Sequence, residues 1–215
     1  MKEKIKFYSL WLCLICIIGF ILQTVFPVIT DLGVLNKSAI YNHEFWRFLT
    51  SIFLHGGIIH LAYNLFALAL FGIILEKSIG SKKFLIVFFS SGIIANLVAV
   101  NFYNSSLGAS GAIMGMIGCL VIITPMMMVW AFGLILPMFV AGIVWIIGSI
   151  LGSLGIFPGD TGYIAHLGGI SVGLVIGILL RLINIRNKKT DNKSFNNKIE
   201  IPAYYIENWE ERHMK

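Results

Sequence analysis

Gly108-Ala109-Ser110-Gly111-Ala112-Ile113-Met114-Gly115-Met116-Ile117-Gly118-Cys119-Leu120-Val121-Ile122-Ile123-Thr124-Pro125 is the stretch on which the fold turns. It is apolar enough for a membrane interior, yet too short to cross one unaided. A helix from Ser110 to Thr124 rises about 22 Å at about 1.5 Å per residue, against a hydrocarbon core about 30 Å thick. With Pro125 near the inner surface, Ser110 must start below the outer one, and the polar 101–109 segment before it must dip in. Irregular backbone at that depth is tolerated only where protein wraps it or water fills a cavity beside it. The stretch therefore implies a protein-walled, hydrated recess that opens outward around Ser110.

The rest of the chain fits that setting. Of its 215 residues, 58% are hydrophobic and only 12% charged, and the mean hydropathy is +0.88. A soluble domain carries about 45–50% apolar and about 25% charged residues, so water-soluble, collagen-like and disordered chains are excluded. Apolar runs fall at about 8–29, 57–75, 84–101, 110–124, 128–155 and 162–183. Pro137 inside the fifth predicts a kink or a later helix start. The first run is long and has no small-residue cleavage pattern, so it reads as a retained helix, not a removed leader. The expectation is an all-α membrane protein with six transmembrane helices over 1–183, followed by a polar tail, 184–215.

Charge sets the orientation. Of the sixteen basic residues, all but Lys37 and Arg47 fall on the side shared by both termini and the Glu76–Lys83 turn. Positive residues stay inside, so both termini should be cytoplasmic in a multi-pass protein of the cell membrane. The basic clusters flank the bilayer and form no nucleic-acid stripe. Cys13, Cys16 and Cys119 lie inside apolar runs and read as small packing residues.

Ionisable groups within spans are costly and face the protein interior. Ser110 lies between glycines at a helix start, where free backbone N–H groups can receive an oxyanion. His166 opens a stripe of small residues, Ala165, Gly169, Gly173 and Gly177. If that stripe presses on the fourth span, the imidazole reaches Ser110 and can take and return its proton. His60 and Asn64 share one helix face and can donate to the same oxyanion. Each group has a plainer alternative. Gly111, Gly115 and Gly118 suit helix packing, His60 and Asn64 suit polar contacts between helices, and His166 suits a structural hydrogen bond. A zinc site of His55, His60 and His166 is weakly supported, because no acidic or cysteine ligand lies near them in the spans.

In order and spacing, these motifs resemble the rhomboid family of intramembrane serine proteases over about residues 40–180. The resemblance rests on Glu44-Phe45-Trp46-Arg47, His55, His60-x-x-x-Asn64, Glu76-x-x-x-Gly80, Gly108-Ala109-Ser110-Gly111 and Ala165-His166-x-x-Gly169-x-x-x-Gly173. It implies a dyad of Ser110 as nucleophile and His166 as general base, then acid. It implies His60, Asn64 and the Ser110 amide as oxyanion stabilisers, with Gly108, Gly111, Glu76, Trp46, Arg47, Gly169 and Gly173 as structural residues. Trp46 and Arg47 belong, by the same resemblance, to a loop at the lipid interface. The implied partners are the lipid bilayer and transmembrane protein substrates cut near the outer face, with no metal or organic cofactor. Many members carry a Tyr four residues after the serine, packed on the catalytic histidine, where this chain has Met114. A rhomboid-like protein that binds transmembrane helices without cutting them, and a small transporter, are the alternatives. The first typically lacks the serine or histidine. The second typically uses inverted repeats and intramembrane acids that this sequence does not show.

Overall fold

A computed structural model describes residues 5–157, 161–196, 204, 212 and 213. The chain forms two compact units, residues 1–178 and 179–215. The expected turn at Pro158-Gly159-Asp160 and half of the tail lie outside the described residues.

The first unit is helical. Long helices α1 (Tyr8–Val25), α5 (Ile58–Ile79), α6 (Ser81–Phe102) and α9 (Tyr163–Asn196, continuing into the second unit) are joined by the shorter α7 (Ser110–Ile123) and α8 (Met138–Ser153). Among the described residues, four helices can cross a membrane by length and composition: Tyr8–Val25, Ile58–Ile79, Ser81–Phe102 and the Tyr163–Ile183 part of α9. α7 and α8 are apolar but shorter. α7 begins and ends within a residue of the boundaries read from sequence. α9 runs past the expected end of the sixth span, because no Gly or Pro interrupts it between Ile178 and Ile201.

Two segments differ from the sequence reading. The fifth apolar run is a β-hairpin, β3 (Met128–Ala131) and β4 (Leu134–Pro137), followed by α8, so the later helix start at Pro137 is the one adopted. The charged Glu76–Lys83 stretch is almost wholly helical. Gly80, at φ +86°, is the only residue between α5 and α6. The polar 30–56 stretch is also built up, with α2 (Val28–Gly33), β1 (Leu35–Asn36), α3 (Lys37–Tyr41), α4 (Arg47–Thr50) and a 3₁₀ turn at Ser51–Phe53. β1 pairs antiparallel with β2 (Ser105–Ser106), which fastens the loop before Ser110 to this layer.

α7 is the central element. It packs on α6 through small residues on both sides. Gly111 faces Ala95 and Gly115 faces Ser91, so the two helices run antiparallel with no room for a further side chain at either glycine. On its other face the pairs are Gly111 with Gly169, Gly115 with Gly173 and Cys119 with Gly177. That constant offset makes α7 and α9 parallel, backbone against backbone. Lipid-soluble helices gain little from the hydrophobic effect on each other, so such close packing is a main source of their association.

Candidate functional site

Register fixes depth. Gly111 is level with Ala95, and α6 continues to Phe102. Ser110 therefore starts about 10 Å of helix rise short of the end of α6. The serine is sunk, as the short span predicts.

The α7–α9 pairing then settles what Ser110 meets. With Gly169 against the Gly111 carbonyl, His166 lies one turn earlier on α9, beside the first residue of α7. Ser110 Oγ and His166 Nε2 are 2.8 Å apart. A neutral imidazole protonated on Nδ1 accepts the hydroxyl proton at that distance. Both residues are partly accessible, neither sealed nor open. No side chain caps α7, so the backbone donors of its first turn remain free toward this space.

The approach to Ser110 is held from several elements. Gly108 N–H donates to Ser51 O at 2.8 Å, and Ser106 Oγ donates to Asn96 Oδ1 at 3.2 Å. Asn96 Nδ2 in turn donates to Phe48 O and Ser51 Oγ. Gly108 has φ +118°, and a Cβ there would sit 2.8 Å from His60 Nε2. Glycine is required on both counts. The His60 ring thus lies against the loop that delivers the serine.

Asn64 lies one turn below, buried. Its Nδ2 donates to His60 O at 2.8 Å, and its Oδ1 has no hydrogen-bond partner among the described residues. His55 packs edge-on against His60 with ring centroids 5.1 Å apart. Its ring is buried with neither nitrogen partnered. Burial, then the nearby His60, pushes the His55 pKa down to about 4, so it is neutral near pH 7. Among the described residues no three His, Cys, Asp or Glu side chains converge as metal ligands.

The structure brings Ser110, His166, His60, Gly108, Gly111 and Gly169 together, with Asn64 beside them and Gly173 one turn further along the α7–α9 seam. Glu76, Trp46 and Arg47 lie elsewhere. Glu76 is fully buried at the α5–α6 corner. Its carboxylate accepts from Tyr8 N at 2.9 Å, Ser9 N at 3.0 Å and Ser81 Oγ at 2.7 Å. It is an anion at the N-terminus of α1, where free amides and the helix dipole favour one. Trp46 is exposed, as an interfacial aromatic should be, and donates to Leu32 O at 3.2 Å. Arg47 does not share that setting. It is only 7% exposed, pairs with Glu44 at 2.7 Å and donates to the carbonyls of Asp31 and Val34. Carbonyls at the end of α2 have no intrahelical partner, and Arg47 satisfies them.

Sequence reasoning missed three contributors. Tyr163 packs edge-on to His166 at 6.2 Å and fills the space over Gly152. It gives the imidazole an aromatic neighbour in a chain with Met114 four residues after the serine. Tyr103 Oη accepts the Ile164 N–H at 2.9 Å, tying the first turn of α9 to α6. Gln23 of α1 accepts from the His55 N–H at 2.9 Å and donates back to its carbonyl at 3.4 Å. Nothing in single-sequence spacing marks these contacts, which are made across helices.

A polytopic helical membrane protein with a hydroxyl–imidazole pair at the start of a sunken helix is the class these features define. A Rhomboid domain family model matches residues 42–183, and the chain belongs to the rhomboid family. RHOMBOID-like protein 6, mitochondrial, of Arabidopsis thaliana is 31% identical over 152 residues, 69% of this chain and 48% of that protein. Rhomboid protease GluP of Bacillus subtilis (strain 168) is 43% identical over 90 residues, 41% of this chain and 18% of that protein. Inactive RHOMBOID-like protein 8 of Arabidopsis thaliana is 39% identical over 90 residues, 41% of this chain and 26% of that protein. The matched stretch thus spans less than half the length of each of these relatives. Family membership includes proteases and inactive members alike.

Proposed function

We infer that this protein is an intramembrane serine endopeptidase of the cell membrane, cutting transmembrane proteins near the outer face. The observation that carries the reading is the 2.8 Å contact between Ser110 Oγ and His166 Nε2. Ser110 Oγ attacks the substrate carbonyl carbon while its proton passes to His166 Nε2. The negative charge that develops on the carbonyl oxygen is received by the Ser110 N–H, His60 and Asn64. Asn64 Nδ2 carries two hydrogens, one on His60 O and one available. Collapse of the tetrahedral intermediate expels the amine, which takes the proton from His166, and water then repeats the cycle on the acyl-serine. A substrate helix must first unwind, because a hydrogen-bonded helix hides its carbonyls.

The six crossings in this reading are α1, α5, α6, α7, α8 and α9, with both termini cytoplasmic, the polar tail from 184 included. The inactive relative makes sequence identity a poor guide to activity. Retention of both Ser110 and His166 at bonding distance favours catalysis over mere helix binding. In detergent or vesicles, wild-type protein should cleave a single-span substrate and react with a fluorophosphonate. Ser110→Ala and His166→Ala should each reduce cleavage to background, a loss of about four to six orders of magnitude in enzymes of this chemistry. Cleavage undiminished in Ser110→Ala, or no fluorophosphonate labelling of the folded wild type, overturns the reading.

A further inference from the structure

The β3–β4 hairpin is tied to neither the serine nor the histidine, and its composition is unusual for a turn between helices. From Pro125 to Gly148 the only polar side-chain group is the indole N–H of the two tryptophans. An antiparallel hairpin with one solvated face alternates apolar and polar residues. Here β3 alternates only in burial, and in β4 the adjacent Leu134 and Ile135 are both exposed. Val129 and Ala131 face inward, while Met128, Trp130 and Ile135 are 55%, 53% and 68% exposed. Trp130 and Ile135 are cross-strand partners, so the outward face is one continuous apolar patch. The tip is Phe132-Gly133, with φ +55° and +78°. A phenylalanine in the left-handed region is disfavoured, yet here its ring gains a contact with Trp145 at 4.7 Å.

Its place in the fold says what covers that face. Trp130 packs edge-on against Phe66 of α5, and Trp145 packs against Phe71, each at 5.4 Å. Those two α5 residues lie about 8 to 15 Å of helix rise from Glu76. Glu76 marks the end of the first unit where Lys6, Lys77, Lys82 and Lys83 gather. The patch adjoins Phe66 of α5, which is itself exposed. Among the described residues no third strand joins the pair, so the outer backbone groups of both strands stay open, and such edges are not tolerated deep in hydrocarbon. At the headgroup–acyl boundary, water and ester carbonyls can reach them while the apolar face sinks about 5–10 Å.

We propose that the hairpin is an interfacial lipid-binding element. It lies in the membrane boundary at the Glu76 end of the molecule, with Met128, Trp130 and Ile135 among acyl chains. The proposal rests on the membrane reading and is independent of peptidase activity. The test uses the full chain in phosphatidylcholine–phosphatidylglycerol vesicles, with Trp11, Trp46, Trp145 and Trp209 changed to Phe so that Trp130 alone emits. Brominated phosphatidylcholine should quench most of that emission, more strongly with bromines near the carbonyl end of the chain than near the methyl end, and aqueous acrylamide should quench little. Dominant acrylamide quenching shows a water-facing hairpin and overturns the proposal. Absence of quenching by either agent at high lipid excess shows a protein-covered face, such as a second copy, and also overturns it. Stronger methyl-end quenching overturns the interfacial depth. If the fourfold variant fails to fold, a spin label on Ile135→Cys in otherwise native protein reads the same question by accessibility to oxygen against a water-soluble nickel chelate.

Discussion

At the scale of single residues, the distance between hydroxyl and imidazole is set by atoms that are absent. A Cβ on Gly173 would collide with the Gly115 carbonyl oxygen, and one on Gly169 with that of Gly111. A carbonyl in a helix cannot rotate aside as a side chain can. Gly173→Ala should therefore force α7 and α9 apart, costing about 1–3 kcal/mol as overpacking. Because Ser110 and His166 ride on those two backbones, the dyad should open with them. Gly148 is the matched control, since a Cβ there meets nothing within 4 Å. Gly148→Ala should stay within about 0.5 kcal/mol of wild type. Thermal unfolding in detergent and the rate of fluorophosphonate labelling check both variants. Equal labelling rates in folded Gly173→Ala and wild type would separate the seam from the site. The packing and catalytic readings of these glycines are thus not rivals, for the same small residues that pack α7 on α9 also hold Ser110 beside His166.

At the scale of elements, the α5–α6 corner holds α1 through one carboxylate. Glu76 accepts two amides from the first turn of α1 and one hydroxyl from the first residue of α6. Glu76→Gln removes the charge and turns one acceptor into a donor facing N–H or O–H groups. It should cost about 1–3 kcal/mol, the range for losing charge-assisted hydrogen bonds, and Glu76→Ala should cost more. A melting temperature unchanged in Glu76→Gln would show that the α1 terminus finds other acceptors. This corner also shows what was legible in the sequence. Glu76-x-x-x-Gly80 stood out, and α7 was placed almost to the residue because a glycine-flanked serine and a proline bracket it. The small-residue stripes marked faces open to close approach, since only small residues allow it, while the partner of each face was given only conditionally. The hairpin was not legible, because a continuous apolar run has no periodicity that separates strand from buried helix. β1 and β2, of two residues each, carry no pattern at all. Arg47 read as an interfacial cation because its need, the open carbonyls of α2, exists only once α2 is formed.

For the whole molecule, two sets of contacts define two opposite ends of the first unit. Glu76 gathers the start of α1, the end of α5 and the start of α6 at one end. Gln23 joins the last turns of α1 to His55, just before α5, and Gly108 meets His60 near the start of α5 at the other. The parallel run of α7 and α9 requires an even number of crossings between their starts, which α7 and α8 supply if both traverse the bilayer. The basic side chains Lys77, Lys82 and Lys83 lie at the Glu76 end, exposed. By the positive-inside rule that end is expected to face the cytoplasm. Ser78 and Asn104 are exposed at opposite ends, and the three native cysteines lie within helices α1 and α7. In intact cells, Asn104→Cys should react with a membrane-impermeant maleimide, and Ser78→Cys should react only after the membrane is opened. The reverse pattern inverts the orientation and moves Ser110 to the cytoplasmic side. Labelling of both positions in intact cells would place the two ends of α6 on one side and remove α6 as a crossing.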